Sequence, residues 1–178
     1  MAFELIKSEI IHHGRAFTIR CDTLHLPDER EVRLDIVEHA GSVVILPLDA
    51  NGEIHFVRQY RHASGQYLLE LPAGVLDEGE TPEFCAQREL REETGVAAGK
   101  LKSLGGFFLA PGYSTEYMSV FLATDLQNAP LMADSDEFIS VEHIPVRKAL
   151  LMCEHGEILD AKSLAAFLLA RESLKIQD

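Results

Sequence analysis

One stretch, residues 74–96, constrains the fold more than any other part of the chain, because both ends of a helix can be read from it. Thr81 can cap the amino end of a helix, and Pro82 suits the first helical position, where its missing N–H costs nothing. Gly95 can end the helix. We therefore predict a helix over residues 82–94.

Three glutamates of this predicted helix, Glu89, Glu92 and Glu93, stand three and four residues apart and so share one face. Unpaired like charges at this spacing destabilise a helix by roughly 0.2–0.5 kcal/mol per pair. A divalent cation held by their oxygens would turn that penalty into binding energy. The alternative is a solvated acidic face on which Arg88 and Arg91 screen the carboxylates.

The composition limits the classes of partner. The chain has 178 residues, ordinary globular proportions of charged (25%) and hydrophobic (47%) residues, and a formal net charge of −13. Such an acidic chain is unsuited to non-specific binding of nucleic acid or membranes, and no apolar run approaches membrane-spanning length. Cys21, Cys85 and Cys153 form neither a disulfide framework nor a zinc motif, which indicates a cytoplasmic location. The eight histidines show no metal-binding spacing and are interpreted as ordinary surface or core residues.

The rest of the chain alternates strand patterns with two further helices. Strands are predicted at 4–11, 17–26, 31–39, 42–48, 53–60, 67–71, 101–109, 116–123 and 138–143, and helices at 145–153 and 161–174. Asp49 to Gly52 indicates a hairpin turn, and Asp160 is a candidate cap for the last helix. This order predicts an α/β (α+β) fold, a mixed sheet with helices on its faces. The one candidate boundary separates an N-terminal strand region, 1–40, from a main domain, 41–178.

The acidic helix and the loop before it also match a longer pattern, G-x5-E-x7-R-E-U-x-E-E-x-G-U, in which U is a bulky aliphatic residue. Its positions are filled in order by Gly74, Glu80, Arg88, Glu89, Leu90, Glu92, Glu93, Gly95 and Val96. This is the complete signature of the Nudix hydrolases, and the chain resembles that family. The resemblance implies an α/β/α sandwich with a mixed sheet, preceded by N-terminal antiparallel strands. It also implies an enzyme that hydrolyses a nucleoside diphosphate linked to another group.

The resemblance implies a metal-binding role for the helical glutamates. Glu89 and Glu93 are expected to be the main ligands and Glu92 to assist, so that Glu92 and Glu93 take part in catalysis. Carboxylates without histidine or cysteine partners favour hard ions, so we expect Mg²⁺, with Mn²⁺ as the alternative. Ala73 precedes a glycine that allows close backbone approach, and its carbonyl is a candidate further ligand.

The other signature residues are expected to hold the geometry. Glu80 supports the loop and the helix or an outer metal site, and Arg88 orients a glutamate through a salt bridge. Gly74 and Gly95 meet backbone requirements.

Residues outside the signature resemble the ADP-ribose pyrophosphatase subgroup. Pro111 lies sixteen residues after Gly95, and the segments 57–61, 70–74 and 110–116 are similar as well. The resemblance implies hydrolysis of ADP-ribose to AMP and ribose 5-phosphate. Another Nudix activity, on a different nucleotide sugar or an oxidised nucleotide, would share every signature residue. A non-catalytic nucleotide sensor typically lacks the signature glutamates, which this chain keeps.

Candidate substrate and catalytic residues occur both before and after the predicted helix in the sequence. Arg58 and Arg61 suit phosphate because a guanidinium binds it bidentately. Three apart in a strand, they would face opposite ways, so at most one should reach the site, and Arg61 matches the subgroup better. Glu70 is expected to bind ribose hydroxyls or to structure the loop. In the subgroup a glutamate on a mobile loop activates the water, which implies Glu137 or, as second choice, Asp136.

Adenine binding requires a stacking ring, and the chain has no tryptophan. The rings available are Phe17, Tyr60 and Tyr113. In the subgroup, N-terminal strands exchange between two subunits and help to form the adenine pocket. The resemblance therefore implies a homodimer through residues 1–40, with Phe17 and Arg33 as contributors.

Overall fold

The computed structural model describes residues 3–132 and 138–174, and the chain divides into two compact units. The first unit comprises Met1–Gly41 and Phe108–Tyr117. It contains a three-stranded antiparallel sheet in the order β1-β2-β3. Its strands are β1 (Glu4–His13), β2 (Thr18–His25) and β3 (Glu31–Glu38). The later segment joins this unit through hydrogen bonds between the backbones of Val37 and Tyr113 and of Thr115 and Val37.

The second unit comprises Ser42–Phe107 and Met118–Asp178. Its elements are β4 (Ser42–Pro47), β5 (Glu53–Arg61), β6 (Gln66–Glu70), β7 (Ala73–Val75), α1 (Pro82–Thr94), β8 (Val96–Phe108), β9 (Tyr117–Asn128), β10 (Ser140–Pro145), α2 (Val146–Glu154) and α3 (Ala161–Leu174). Within the described ranges, none of the helices combines the length and the apolar character needed to cross a membrane.

The larger sheet of this unit runs β7-β4-β9-β8 and is mixed, because β4 pairs parallel with β9 and antiparallel with β7. Alternate residues of β4 enter different cores, as the period of a strand requires. Val43 and Ile45 pack in a cluster with Leu90 of α1. Val44 and Leu46 pack in a cluster with residues of α3. The sheet is therefore covered by a helix on each face, which confirms the predicted α/β/α layering.

A second sheet, β10-β5-β6, is antiparallel throughout. The predicted turn between β4 and β5 is formed, with Asp49 Oδ1 accepting from the backbone N–H groups of Asn51 and Glu53. Ile54 and Phe56 of β5 point into the same core cluster as Ile144 of β10. Residues between them in sequence therefore lie on the other face of this sheet.

The sequence prediction differs from the structure mainly at strand ends. Strand β8 begins at Val96, directly after the glycine that ends α1, and not at Leu101. Strand β9 continues to Asn128, beyond the predicted end at Ala123. Strand β7 was not predicted, since three residues are too few to show an alternating pattern and it forms only by pairing with β4.

Candidate active site

Helix α1 begins and ends where its sequence predicts. Thr81 has extended backbone angles, and its Oγ1 accepts a hydrogen bond from the N–H of Phe84 at 3.4 Å. Pro82 occupies the first turn. Gly95 has a φ of 75°, a left-handed conformation that favours glycine, and its N–H donates to the Arg91 carbonyl. These caps fix the first and last residues of α1, and therefore the face on which its glutamates lie.

The carboxylate of Glu89 lies directly against the backbone of β7. A Cβ atom placed on Gly74 would stand 1.9 Å from the Glu89 Cδ and Oε1 atoms, far inside any real contact distance. Only glycine therefore allows the strand and this buried carboxylate to approach so closely. The expected backbone requirement at Gly74 thus has a specific physical cause, the position of Glu89.

Glu93, one helical turn further on, faces the same strand. Its Oε2 accepts a hydrogen bond from the backbone N–H of Ala73 at 3.2 Å, and its side chain is buried. Two carboxylates, Glu89 and Glu93, are thus held in a poorly solvated region beside the β7 backbone. Buried carboxylates are retained in proteins when they are paired, hydrogen-bonded or bound to a metal.

Arg88 binds three of the glutamates at once. Its Nε and Nη2 donate to the two carboxylate oxygens of Glu80, at 3.0 and 2.9 Å. Its Nη1 donates to Glu89 at 2.6 Å and to Glu92 at 3.0 Å. Nη2 also reaches the Val75 carbonyl at 3.1 Å. Such a fork of donors orients carboxylates.

Glu80 connects Arg88 of α1 to the loop before the helix. Besides its two bonds with Arg88, it accepts a hydrogen bond from the Asp77 N–H, which closes the loop before α1. The hydrogen bonds from Arg88 outweigh the opposing effect of burial and lower the pKa of Glu80 to about 2. The loop is therefore tied to the helix through an ion pair that persists over the physiological pH range.

Glu70 lies at the end of β6 with its carboxylate buried. Arg61 of β5 binds it bidentately, Nε to Oε1 at 2.9 Å and Nη2 to Oε2 at 2.8 Å. Lys162 of α3 donates to the same Oε2 and also pairs with Asp160 at 2.9 Å. Burial alone would raise the pKa of Glu70, but the bonds and charges of Arg61 and Lys162 lower it. Glu70 is therefore an ionised centre that joins β5, β6 and α3.

The two candidate phosphate-binding arginines have different surroundings. Arg58 pairs with Glu142 of β10, Nε to Oε1 at 2.5 Å, and both side chains are partly exposed. Arg61 turns to β6 and Glu70 instead, and hydrogen bonding to Glu70 raises its pKa, with a smaller contribution from the charge of Glu93. Arg61 is therefore close enough to Glu93 of α1 for their charges to interact.

The remaining candidates are spread over the chain. Phe17 and Arg33 belong to the first unit, where Phe17 is exposed and Arg33 Nε lies 3.3 Å from Cys21 Sγ. Tyr113 also belongs to that unit, whereas Tyr60 stands in the second and stacks obliquely on Tyr67. The general-base candidates Glu137 and Asp136 lie outside the described residues.

Sequence reasoning did not find Lys162. A single lysine in a helix is normally a surface residue, and no pattern near it indicates that it meets Glu70, 92 positions earlier. It interpreted the eight histidines as ordinary surface or core residues, and their spacing gives no sign that His55 and His143 are cross-strand partners with ring centroids 4.0 Å apart.

Comparison with known proteins places this geometry in a family. The NUDIX domain matches residues 38–167. An ADP-ribose pyrophosphatase of Bacillus subtilis is 36% identical over 176 residues, covering 97% of this chain and 95% of that protein. An ADP-ribose pyrophosphatase of Mycobacterium tuberculosis is 40% identical over 169 residues, covering 93% and 82%.

A solved structure gives the same result for the fold. The crystal structure of an ADP compounds hydrolase superposes with a TM-score of 0.88 at 25% identity, covering 98% of this chain and 95% of that one. The chain belongs to the Nudix family. The predicted class of enzyme, a Nudix pyrophosphatase, is confirmed.

Proposed function

We propose that this protein hydrolyses ADP-ribose to AMP and ribose 5-phosphate with the help of Mg²⁺, or alternatively Mn²⁺. The observation that carries the substrate assignment is the similarity, over nearly the whole chain, to two proteins named ADP-ribose pyrophosphatases. The arrangement of glutamates around Arg88 and β7 supports the chemistry.

The residues around the helical glutamates suit a hard divalent cation. The donors are carboxylate oxygens and backbone carbonyls, which Mg²⁺ prefers. Glu89 and Glu93 are the proposed main ligands, with Glu92 assisting and the Ala73 carbonyl as a further ligand. Gly74 leaves room for the Glu89 carboxylate against the strand. When bound, the cation neutralises phosphate charge and stabilises the leaving phosphate.

The protein groups around this site have defined tasks in the proposed reaction. Arg88 holds Glu89 and Glu92 through its hydrogen bonds, so these two carboxylates are positioned before substrate binds. A water oxygen forms a bond to one phosphorus, the bridging P–O bond breaks, and the bridging oxygen leaves with the other phosphate. The water proton passes to a base, for which Glu137, or else Asp136, is proposed.

Substrate contacts are proposed for residues beside the glutamates. Arg61 uses Nε and Nη2 for Glu70, and its Nη1 makes no hydrogen bond to any described residue, so this edge of the guanidinium can meet a phosphate oxygen. Glu70 thereby acts by positioning Arg61, or by accepting from ribose hydroxyls. Arg58 is a weaker candidate, since its Nε is engaged by Glu142. Phe17 and Arg33 are proposed to contribute to adenine binding across the dimer, and the stacking ring is Phe17, Tyr60 or Tyr113.

The decisive experiment is incubation of the metal-stripped protein with ADP-ribose in ¹⁸O-labelled water, with and without added Mg²⁺. Mass spectrometry then identifies the products and which of them carries the label. We expect AMP and ribose 5-phosphate only when Mg²⁺ is present. A protein that leaves ADP-ribose intact but cleaves another nucleotide sugar or an oxidised nucleotide would refute the proposed substrate and keep the family chemistry.

A matched pair of variants tests the metal ligands. Glu93→Gln removes one proposed ligand charge, and Glu83→Gln makes the same change on an exposed residue of the same helix. We expect Mg²⁺ affinity and turnover to fall in Glu93→Gln alone. If the two variants bound Mg²⁺ equally well, the helix would be a solvated acidic surface and not a metal site.

We also propose a homodimer formed through the N-terminal strands. Strand β1 exposes four large apolar side chains, Leu5, Ile6, Ile10 and Ile11, which an isolated soluble domain would seldom leave uncovered. Replacing Ile10 with Glu should convert the dimer to monomers in analytical ultracentrifugation. A wild-type protein that sediments as a monomer would refute the proposal.

A cytoplasmic location is proposed as well. Cys21, Cys85 and Cys153 are all free thiols, as expected for a protein of a reducing compartment.

A further inference from the structure

A group of metal-binding side chains lies on the second sheet, apart from the signature glutamates in sequence and in ligand chemistry. Asp49, His55 and His143 each place a ligand atom within 4.8 Å of the others. They come from the turn between β4 and β5, from β5 and from β10. The proposed function uses none of these side chains.

The strand register brings the two histidines together. His55 and His143 are directly paired partners in the antiparallel ladder between β5 and β10, so their side chains leave the same face. Their neighbours Ile54, Phe56 and Ile144 all enter the core on the opposite face. The pair is therefore a fixed feature of the sheet and does not depend on a flexible loop.

His55 has the surroundings expected of a metal ligand. Its side chain is only 5% exposed, and neither ring nitrogen has a hydrogen-bond partner among the described residues. Buried ring nitrogens without partners are costly, and proteins seldom keep them without a reason.

Asp49 completes the set and is already oriented. Its Oδ1 accepts from the N–H groups of Asn51 at 2.8 Å and Glu53 at 2.9 Å, so the turn itself fixes the carboxylate plane. Its Oδ2 lies 3.6 Å from Nε2 of His55. Hydrogen bonds that hold a carboxylate ligand in this way are a regular part of metal sites.

We propose that Asp49, His55 and His143 form a second metal site, for a divalent ion of the Zn²⁺ class. Two imidazoles and one carboxylate suit zinc and its transition-metal neighbours, whereas Mg²⁺ prefers oxygen ligands alone. Ligand atoms on one tetrahedral zinc ion stand about 3.3 Å apart, given bonds of about 2.0–2.1 Å. His143 is exposed and can rotate to close that distance, and its exposed side leaves the fourth position to water.

The ion would join three separate parts of the chain, the 49–52 turn and the two strands β5 and β10. Strand β5 also carries Arg58 and Arg61, so the site would stabilise the strand from which the proposed phosphate contact projects. An ion that binds only the folded state raises stability by mass action. The proposed ion would bind whichever nucleotide the enzyme cleaves.

The test uses full-length, tag-free protein that has been stripped with a chelator and then saturated with Mg²⁺ to occupy the glutamate site. Zn²⁺ binding is followed by calorimetry, and Co²⁺ binding by its visible absorption. His143→Gln removes an exposed ligand with little risk to folding. Asp49→Asn keeps an oxygen for the two turn hydrogen bonds but removes the ligand charge. His155→Gln, an exposed histidine after α2, is the matched control.

We expect one tight Zn²⁺ equivalent in wild type, in His155→Gln and in the Glu93→Gln variant of the other site. Changes in groups that only support ligands alter metal affinity about 10–100-fold, so loss of a ligand in His143→Gln or Asp49→Asn should weaken Zn²⁺ binding about 100-fold or more. Zn²⁺ should also raise the melting temperature of wild type and not of His143→Gln.

Three results would overturn the assignment. These are a wild-type protein that binds no Zn²⁺ in excess Mg²⁺, a His143→Gln variant that binds it as tightly as wild type, or a loss of Zn²⁺ binding confined to Glu93→Gln. The last would assign the ion to the helical glutamates. Each readout is independent of ADP-ribose hydrolysis, so failure of the proposed function would leave this test intact.

Discussion

Replacement of Gly74 by alanine tests how closely the glutamate site depends on a single missing side chain. The added methyl group would lie 1.9 Å from Cδ and Oε1 of Glu89 and 2.5 Å from Oε2, whereas ordinary contacts begin at 3.4 Å. The carboxylate and the strand must therefore separate by about 1.5 Å. Neither moves freely, because Arg88 holds the carboxylate at 2.6 Å and β7 is paired with β4.

The substitution should lower both the folding free energy and the activity. Inserting a methyl group into a packed site costs about 1–3 kcal/mol of folding free energy. A displacement near 1 Å of a catalytic group lowers rates about 100-fold, so kcat/KM for ADP-ribose should fall by at least that factor. Mg²⁺ affinity should fall as well, since the displaced group is a proposed main ligand.

The assay compares Gly74→Ala with wild type in urea unfolding without metal, in Mg²⁺ titration and in steady-state turnover. Gly112→Ala is the control for stability, because a methyl group there meets nothing within 4 Å, and its effect should stay within about 0.5 kcal/mol. A folded Gly74→Ala protein with wild-type Mg²⁺ affinity and kcat/KM within about threefold of wild type would refute the reasoning.

Arg88→Ala should lower the free energy of unfolding in Mg²⁺-free buffer by about 2–3 kcal/mol, somewhat less than the loss of a fully buried ion-pair partner. Arg88→Lys should lower it by a smaller amount, because the ammonium group keeps the charge but cannot reproduce the fork of hydrogen bonds. Urea titration measures both, and unchanged stability in Arg88→Ala would contradict the role of this residue. Glu80 has its folded pKa lowered to about 2 from a usual 4.5, so its ion pair contributes fully above about pH 5 and is lost as the pH falls towards 2. The stability difference between wild type and Glu80→Gln should therefore shrink over that range, and a difference independent of pH would count against it. Glu70→Gln removes the anion that Arg61 and Lys162 share and leaves Lys162 with Asp160, so it should cost about 3 kcal/mol, the low end for breaking a buried ion pair. Adding Lys162→Met should recover part of this cost, and simple additivity of the two changes in thermal unfolding would show that they do not interact.

The parts of the fold that local chemistry determines could be predicted from the sequence. Thr81, Pro82 and Gly95 give the ends of α1 because caps act through neighbouring residues, and a helical face follows directly from the 3.6-residue period. The turn at Asp49 is of the same kind, since its hydrogen bonds reach only a few positions along the chain.

The parts that depend on tertiary pairing could not be predicted from local chemistry. Lys162 meets Glu70 because α3 packs on the same sheet, and nothing near either residue carries that information. His55 and His143 become neighbours only through the β5–β10 register. The family signature includes Gly74, but the reason for it is a contact with Glu89 that appears only when strand and helix are placed together.

The negative charge around Arg88 affects the order in which the cation and the nucleotide bind. One guanidinium serves Glu80, Glu89 and Glu92, and Glu93 stands on the same face of α1, so the formal charges of these side chains sum to −3. A diphosphate brings further negative charge, and each like-charge pair at about 4 Å opposes approach by about 4 kcal/mol at the effective dielectric of a protein surface. This group of side chains alone therefore repels the substrate that the protein is proposed to cleave. Cations must enter first or together with the substrate, so the apparent affinity for the nucleotide should depend on the free Mg²⁺ concentration.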